Sequence, residues 1–490
     1  MKTFFKICGI VIVVIVIGAY STYTYMNRPH EDIYSLYVDQ DTTPVGKTAV
    51  FLIGLHTTED FEPTWWYNIL HHSVHANIPW PIQITSLADN GVALVDPDRY
   101  YSVEKFVPTR LMDRFGREHD MDRTPYIERY REGLVEWQLP RESRHLDTGY
   151  WLYTARNDGI PSRVGKRINL AKHWFYGNGI KQRKIPANYQ SFKIYDIAFD
   201  MLQASYPGTP YRIADTQDPY LWKKKILELL DDGAETLVLA SPMVMYSDYE
   251  DFHNAFGHSF EIVREWEARN DRKIKIIMTK PMGYQKAMRD GYLLILKDKL
   301  DQLPAGVDVK HIWSIHGMPW ARVPNESWLK MSPPYKAAMV ADAEALLAEY
   351  DFGRTEVVVS QDHFADHYWN PDGAVLSTNK AYLDGVADGY DHVTSIPIEF
   401  YNENTDTLFS HAMSNYENFP GFDVYNEIDY PDWEKPYTSH FEIDGTQIDY
   451  LGIPTGDRYR PYIAEALFNT FDAILSQREG SNTKTRMLAN

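Results

Sequence analysis

The chain has 490 residues, enough for two or three ordinary domains, and its composition (44% hydrophobic, 24% charged) is that of a globular protein. A formal charge of −19 argues against a nucleic-acid partner, because a phosphate backbone is repelled without a strong basic face. The single cysteine, Cys8, excludes an internal disulfide, a CxxC zinc site and a Cys-ligated iron–sulfur cluster, so chemistry falls to His, Asp, Glu and Tyr.

Residues 1–26 read as a membrane anchor. Lys2 and Lys6 precede an apolar run from Ile7 to Ala19, and a Tyr-rich flank extends it to a length that spans a bilayer. The lysines place the amino terminus in the cytoplasm and the body on the extracytoplasmic (periplasmic) side, making a single-pass membrane protein. A cleaved signal peptide is the competing reading, although no A-x-A site is present. Residues 27–46, with Pro29 and Pro44, read as a linker.

A short buried strand over 48–53 opens the body, and a helix through Trp65, Trp66 and Ile69 follows. His71, His72 and His75 there are explained as well by packing on indoles as by metal. Residues 91–190 look like an insertion to which no role is assigned. Within it, residues 159–195 hold no acidic side chain but carry Arg163, Lys166, Arg167, Lys172, Lys181, Arg183, Lys184 and Lys193. That island suits anionic headgroups, the carboxylates of a ligand, or an ordinary solvated face.

From residue 193 the α/β rhythm becomes regular. A helix bearing Ile194, Ile197, Ala198, Met201 and Leu202 leads to a strand over 210–213, a helix over 219–230 and a strand over 236–240. A loop, Ser241 to Ser247, is followed by a helix over 260–268, a strand over 274–278 and a helix over 284–303. The second half repeats the scheme. The strand from Val309 ends at His316, and Pro333-Pro334 open a helix over 335–350. Strands over 356–360 and 392–400 flank a helix over 378–387. Residues 411–450 read as an acidic, aromatic insertion, a helix over 461–475 closes the fold, and 476–490 form a loose tail. The expectation is two similar doubly wound, parallel-sheet (Rossmann-like) halves, 47–303 and 304–475, around a central cleft. Ligands bind beyond the carboxyl ends of such strands, which is where His316 and Asp406 fall. Asp406 sits in the first turn of a helix, where the dipole favours a carboxylate, and Glu403 lies one turn earlier. An imidazole with carboxylates suits a divalent ion and proton transfer near neutral pH.

Ser314-Ile315-His316-Gly317-Met318-Pro319 resembles the S-A-H-G-L-P signature of the ferrochelatases. Ile396-Pro397-Ile398-Glu399-Phe400-Tyr401-Asn402-Glu403-Asn404-Thr405-Asp406-Thr407-Leu408 resembles their V-P-I-x-F-x-x-E-H-x-E-T-L segment. Gln361 with Trp369-Asn370-Pro371, and Pro242 with Tyr246-Ser247, resemble two further loops of that family in the same order. Asn404 stands where the family has histidine and Asp406 where it has its catalytic glutamate. The resemblance implies a chelatase-like fold inserting a divalent metal, Fe²⁺ first, into a porphyrin or related tetrapyrrole, with no further cofactor. His316 would accept pyrrole protons or hold the ion. Asp406, with Glu403 behind it, would deliver the ion or carry protons away. Met243, Met245, Tyr246, Ser247, Trp313, Met318, Trp320 and Trp369 would line the ring, with core packing as the other reading for these side chains. Asp362, His363, Asp366 and His367 form a second cluster. If it is helical, His363 and His367 face one way, as an outer metal site would require, but a loop rim of solvated charges is the preferred account. The alternatives are a non-catalytic haem, tetrapyrrole or metal carrier on this fold, or a chelatase for another tetrapyrrole such as sirohydrochlorin. Oligomeric state is not legible.

Overall fold

The computed structural model of the chain describes Gly18 and residues 32–54, 92–95, 110–112, 118–120, 151–154, 187–215, 219–317, 326–362, 365, 375–403, 407, 419 and 434–477. The expected anchor, apart from Gly18, lies outside them, as do His71, His72, His75 and the basic side chains from Arg163 to Lys184. Among the described residues no helix is long and apolar enough to cross a membrane.

Thr48–Gly54 (β1) is apolar without alternation and buried at every position, the pattern of a strand covered on both faces. It pairs in parallel with Tyr211–Asp215 (β6) on one side and Thr236–Ala240 (β7) on the other, and Lys275–Met278 (β8) completes the order β6-β1-β7-β8. The second sheet begins with Val309–Ile315 (β9), also buried throughout. Thr355–Gln361 (β10) pairs on one side of it and His392–Pro397 (β11) on the other, both parallel. The order is β10-β9-β11-β13-β12, where β12 is Ser439–Ile443 and β13 is Thr446–Tyr450. In both sheets the second strand in sequence pairs on one side of the first and the third on the other. Each sheet therefore reverses direction between its first and third strands, at β1/β7 and at β9/β11. The first three strands of each sheet follow the same order.

Four differences from the sequence reading have physical causes. The stretch 439–450, assigned to an insertion, is sheet: β13 continues the parallel set on β11, and β12 turns back on it as an antiparallel edge. The turn is Asp444-Gly445, both at positive φ (51° and 87°), the two-residue hairpin that Asp-Gly favours. Second, the insertion at 91–190 contains strands Val92–Val95 (β2), Arg110–Met112 (β3), Glu118–Asp120 (β4) and Trp151–Thr154 (β5), which form an antiparallel sheet ordered β4-β3-β2-β5.

Third, residues 33–41 are no free linker. Ile33–Asp39 (α1) is capped by Asp32, which accepts from the Ser35 amide, and it buries Ile33. Gln40 then holds the edge of the first sheet: its amide donates to the Met278 carbonyl at 3.0 Å, and its carbonyl accepts from the Met278 amide at 2.8 Å. A side chain thus supplies the pairing that a further strand would give.

Fourth, Pro333 and Pro334 do not open their helix. Glu326–Leu347 (α6) starts seven residues earlier and runs through both. The Ser327 amide in its first turn donates to Asp248 Oδ2 at 3.1 Å, so the first half caps a helix of the second. The remaining helices are Ala187–Ser205 (α2), Pro219–Asp231 (α3), Gly257–Asn270 (α4), Lys286–Leu300 (α5), Thr378–Ala387 (α7) and Arg460–Leu475 (α8). The closing helix α8, expected with the second half, packs on α2, α5 and β7 of the first. Gly291 permits its crossing with α5, since a Cβ there would sit 3.3 Å from Ile463 Cδ1. One hydrophobic core runs from Phe51, Leu237 and Val238 through Met288 to Trp313 and Ile396, so the halves share an interior.

Candidate functional site

The carboxyl end of β9 is where this chain gathers polar side chains from several strands. The β9/β11 register pairs Ile396 with Trp313 and Pro397 with Ser314, and one step further the Ile398 amide donates to the Ser314 carbonyl at 2.9 Å. On the other side Gln361 pairs with Ile315. The ends of three adjacent strands therefore bring the stretches beginning at Ser314, Gln361 and Ile396 to one sheet edge, at the point where strand order reverses. Such a point is where open α/β sheets bind ligands.

His316 is the first residue beyond β9 and is partly buried. Its Nδ1 lies 2.7 Å from the Gly317 carbonyl oxygen. A carbonyl only accepts, so Nδ1 carries the hydrogen, and in the neutral ring Nε2 is then the lone-pair nitrogen. The Phe400 ring meets the imidazole edge-to-face, with centroids 5.9 Å apart at 81°. Beside the strand end, Ser314 Oγ donates to Asp362 Oδ2, and Ser360 and Thr378 share a hydroxyl hydrogen bond of 2.7 Å.

The segment leaving β11 is held from several directions. Tyr335 on α6 donates to the Ile398 carbonyl at 2.5 Å, and Tyr292 on α5 to the Phe400 carbonyl at 2.6 Å. The Tyr401 and Tyr195 hydroxyls are 2.6 Å apart, and Asn402 donates to Ser191, both partners lying on α2. Burial, and then the nearby Glu399 carboxylate, push the Tyr335 phenol well above its ordinary value; burial does the same for Tyr292, with smaller contributions from Tyr335 and Glu399. Both phenols thus remain hydrogen-bond donors across the working pH range. Burial pulls the Lys336 ammonium below its ordinary value, and Glu399 opposes that pull.

Glu403 occupies a different environment from the one expected of a proton carrier. It is buried, and its carboxylate accepts from Thr407 Oγ1 at 2.6 Å, from the Tyr437 amide at 3.2 Å and from the Ile453 amide at 3.4 Å. Gly452 (φ 68°) passes so close that a Cβ there would lie 3.0 Å from Glu403 Oε1 and 2.3 Å from the Tyr437 carbonyl oxygen. Its carboxyl group thereby links three chain segments, the kind of satisfied environment that a buried polar group requires.

Several of the residues expected to line the ring are buried. Trp313 is fully buried: its indole N–H donates to the Met339 carbonyl at 2.9 Å, and its ring packs against His311. Tyr246 is also fully buried, with its hydroxyl 2.9 Å from Thr279 Oγ1. Both rings pack in the shared hydrophobic core. Met243 and Met245 are buried in the loop after β7, which closes on the Met282 and Gly283 amides through the Met243 and Val244 carbonyls. Ser247 is buried, and its amide donates to Asp251 Oδ2 at 2.8 Å. Asp406, Asn404, Met318, Trp320, Trp369, His363 and His367 lie outside the described residues. Of the basic island, Lys193 is described, and it pairs with Glu434 at 3.2 Å. Among the described residues no group of three or more His, Cys, Asp or Glu side chains is arranged to hold a metal ion.

Reading from sequence passed over Phe400, Tyr292 and Tyr335. A signal existed for the segment as a whole. Glu399 interrupts an otherwise apolar run, Ile396 to Phe400, and an acidic residue inside a buried stretch marks a place where local and global preferences conflict.

No protein-family profile and no curated protein sequence matches the chain. Among solved structures, SirB from Bacillus subtilis with Fe³⁺ superposes with a TM-score of 0.35 at 13% identity, covering 59% of this chain and 89% of that one. The sirohydrochlorin chelatase SirB from Bacillus subtilis subspecies spizizenii in complex with cobalt gives 0.32 at 11% identity, with 60% and 91% covered. DR2241 from Deinococcus radiodurans, a multi-domain protein with structural similarity to chelatases, gives 0.31 at 12% identity, with 59% and 51% covered. At this level of superposition the likeness decides neither activity nor substrate.

Proposed function

We propose that the protein inserts a divalent metal, Fe²⁺ first among candidates, into a porphyrin or related tetrapyrrole, with the metal and the ring both as substrates. One observation carries the reading. The first residues of three of the four sequence stretches that resemble ferrochelatase loops come together at the reversal point of the second sheet, where His316 follows β9.

The chemistry requires removal of two pyrrole protons and exchange of the ion's water for ring nitrogens. His316 presents a lone pair at Nε2, and a neutral imidazole both accepts a proton and binds a first-row ion. Asp406, a little beyond the same sheet edge in sequence, would be the second group, with the carboxylate drawn back by one methylene relative to glutamate. Glu403 would act through the loop it fixes rather than by carrying protons.

The test is spectroscopic. Purified protein with a porphyrin and Fe²⁺ or Zn²⁺ is expected to convert the free-base Q-band pattern to that of the metalloporphyrin. Tight ring binding without conversion would favour a carrier on the same scaffold. Conversion only with a more highly carboxylated ring would point to sirohydrochlorin-type substrates. No binding of any ring or ion removes the proposal.

The amino-terminal lysines and apolar run support a body tethered outside the cytoplasm. Resistance of the full chain to alkaline extraction from membranes, with protease access from the extracytoplasmic side only, is the expected result.

A further inference from the structure

The hydroxyls of Tyr292 and Tyr335 form a clamp whose effect reaches His316. Each ring is almost fully buried, and neither hydroxyl is spent within its own helix. They donate to the carbonyls of Phe400 and Ile398, two residues apart in the segment that leaves β11. The two helices carrying them are braced against each other by Arg289 on α5 and Asp342 on α6, at 2.8 Å. Tyr335 is further seated against Gly283, where a Cβ would lie 3.0 Å from its ring and 2.6 Å from the Val244 carbonyl. The backbone of Phe400 is thus fixed, and its ring stands edge-on to the imidazole of His316. His316 stands between that ring and the Gly317 carbonyl that takes the Nδ1 hydrogen.

We propose that Tyr292 and Tyr335 are positioning residues which, through Phe400, hold His316 in one rotamer and one tautomer, with the lone pair on Nε2. This goes one step past the function proposed above and rests on it only for what the Nε2 lone pair does. It also assigns the first half a part in the second half's site, because Gly283, Val244 and α5 belong to the first half.

The decisive measurement is made on the metal-free protein, so it does not depend on turnover. Nitrogen-15 spectra of histidine side chains, with the His316 signals assigned by their loss in His316→Ala, report the tautomer directly. The wild type is expected to show a protonated Nδ1 and a pyridine-type Nε2. Tyr292→Phe with Tyr335→Phe, and separately Phe400→Leu, are expected to move both shifts toward tautomer averaging. Tyr459→Phe is the control: it deletes a hydroxyl hydrogen bond to Asp298 of similar length, 2.7 Å, and is expected to leave His316 unmoved. Should the double variant not fold, each single change carries the same expectation at smaller amplitude. Unchanged His316 shifts in these variants, or a wild-type His316 already averaged, overturn the proposal. Co²⁺ binding to the same proteins then separates the two readings. A roughly tenfold loss of affinity in the double variant is the scale expected when the support of a ligand is removed. Co²⁺ binding that ignores His316→Ala, with the tautomer result intact, rejects the metal role and leaves the clamp standing.

Discussion

His311 and His316 lie on one strand line, five residues apart, and the structure gives them opposite circumstances. His311 sits in mid-strand, fully buried, with Nδ1 2.8 Å from Thr394 Oγ1 and its ring edge against Trp313. No hydrogen-bond partner meets its Nε2. Desolvation lowers its pKa from 6.5 to about 3. His316 lies one residue past the strand end, partly exposed, with a fixed tautomer. Residue type is the same, so position relative to the sheet's carboxyl edge decides which imidazole is available for chemistry. The interior of the strand makes histidine an awkward hydrophobe; the edge leaves it partly exposed.

Exchanging the two losses sharpens that contrast most. His316→Ala is expected to reduce metal insertion at least a hundredfold while shifting thermal stability little. His311→Ala is expected to cost about 2–4 kcal/mol by leaving a buried cavity, with the folded fraction fully active. Comparable activity loss in both would break the distinction. His311 also predicts a pH dependence. The unfolded chain takes up a proton near pH 6.5 that the folded chain refuses until about pH 3. No penalty exists above 6.5. Stability then falls by about 1.4 kcal/mol per pH unit as pH drops toward 3, and the penalty is complete below that. Denaturation followed from pH 7 to 4 is expected to show this slope, and His311→Leu to flatten it by one proton.

Glu403 tests the same logic for a carboxylate. If it is the structural group described, Glu403→Ala strands buried donors on Thr407, Tyr437 and Ile453 and destabilises by about 3 kcal/mol. Stability unchanged with activity lost would return it to the proton-carrying role expected from sequence. The smallest effect belongs to the other sheet. Gln40→Ala removes two hydrogen bonds at a part-buried edge and is expected to cost about 1 kcal/mol. Faster amide exchange should be confined to Met278 and its neighbours, and a global change in exchange would show that α1 supports more than that edge.

Sequence alone determined the α/β class, the two repeats and most strands, because strands covered on both faces must be continuously apolar and the helices between them amphipathic. Residues 236–240 and 378–387 were legible to the residue for that reason. It also located His316 at a strand end. The polar edge strands escaped notice: Ser439–Ile443 alternates with His440 and Glu442, and a half-exposed edge looks like loop unless its Asp444-Gly445 turn is weighed. The proline pair in α6 misled for the opposite reason, a strong local rule overridden where the Ser327 amide found a cap from the other half. Tertiary structure alone decided which groups are available. Glu403, Trp313 and Tyr246 carry the residue types of a site, and only the structure shows that each is buried against particular partners, while two tyrosines far away in sequence bond the loop beside His316. Periodicity records which face of an element is covered; it holds no record of what covers it, and that neighbour sets whether a polar side chain is structural or reactive.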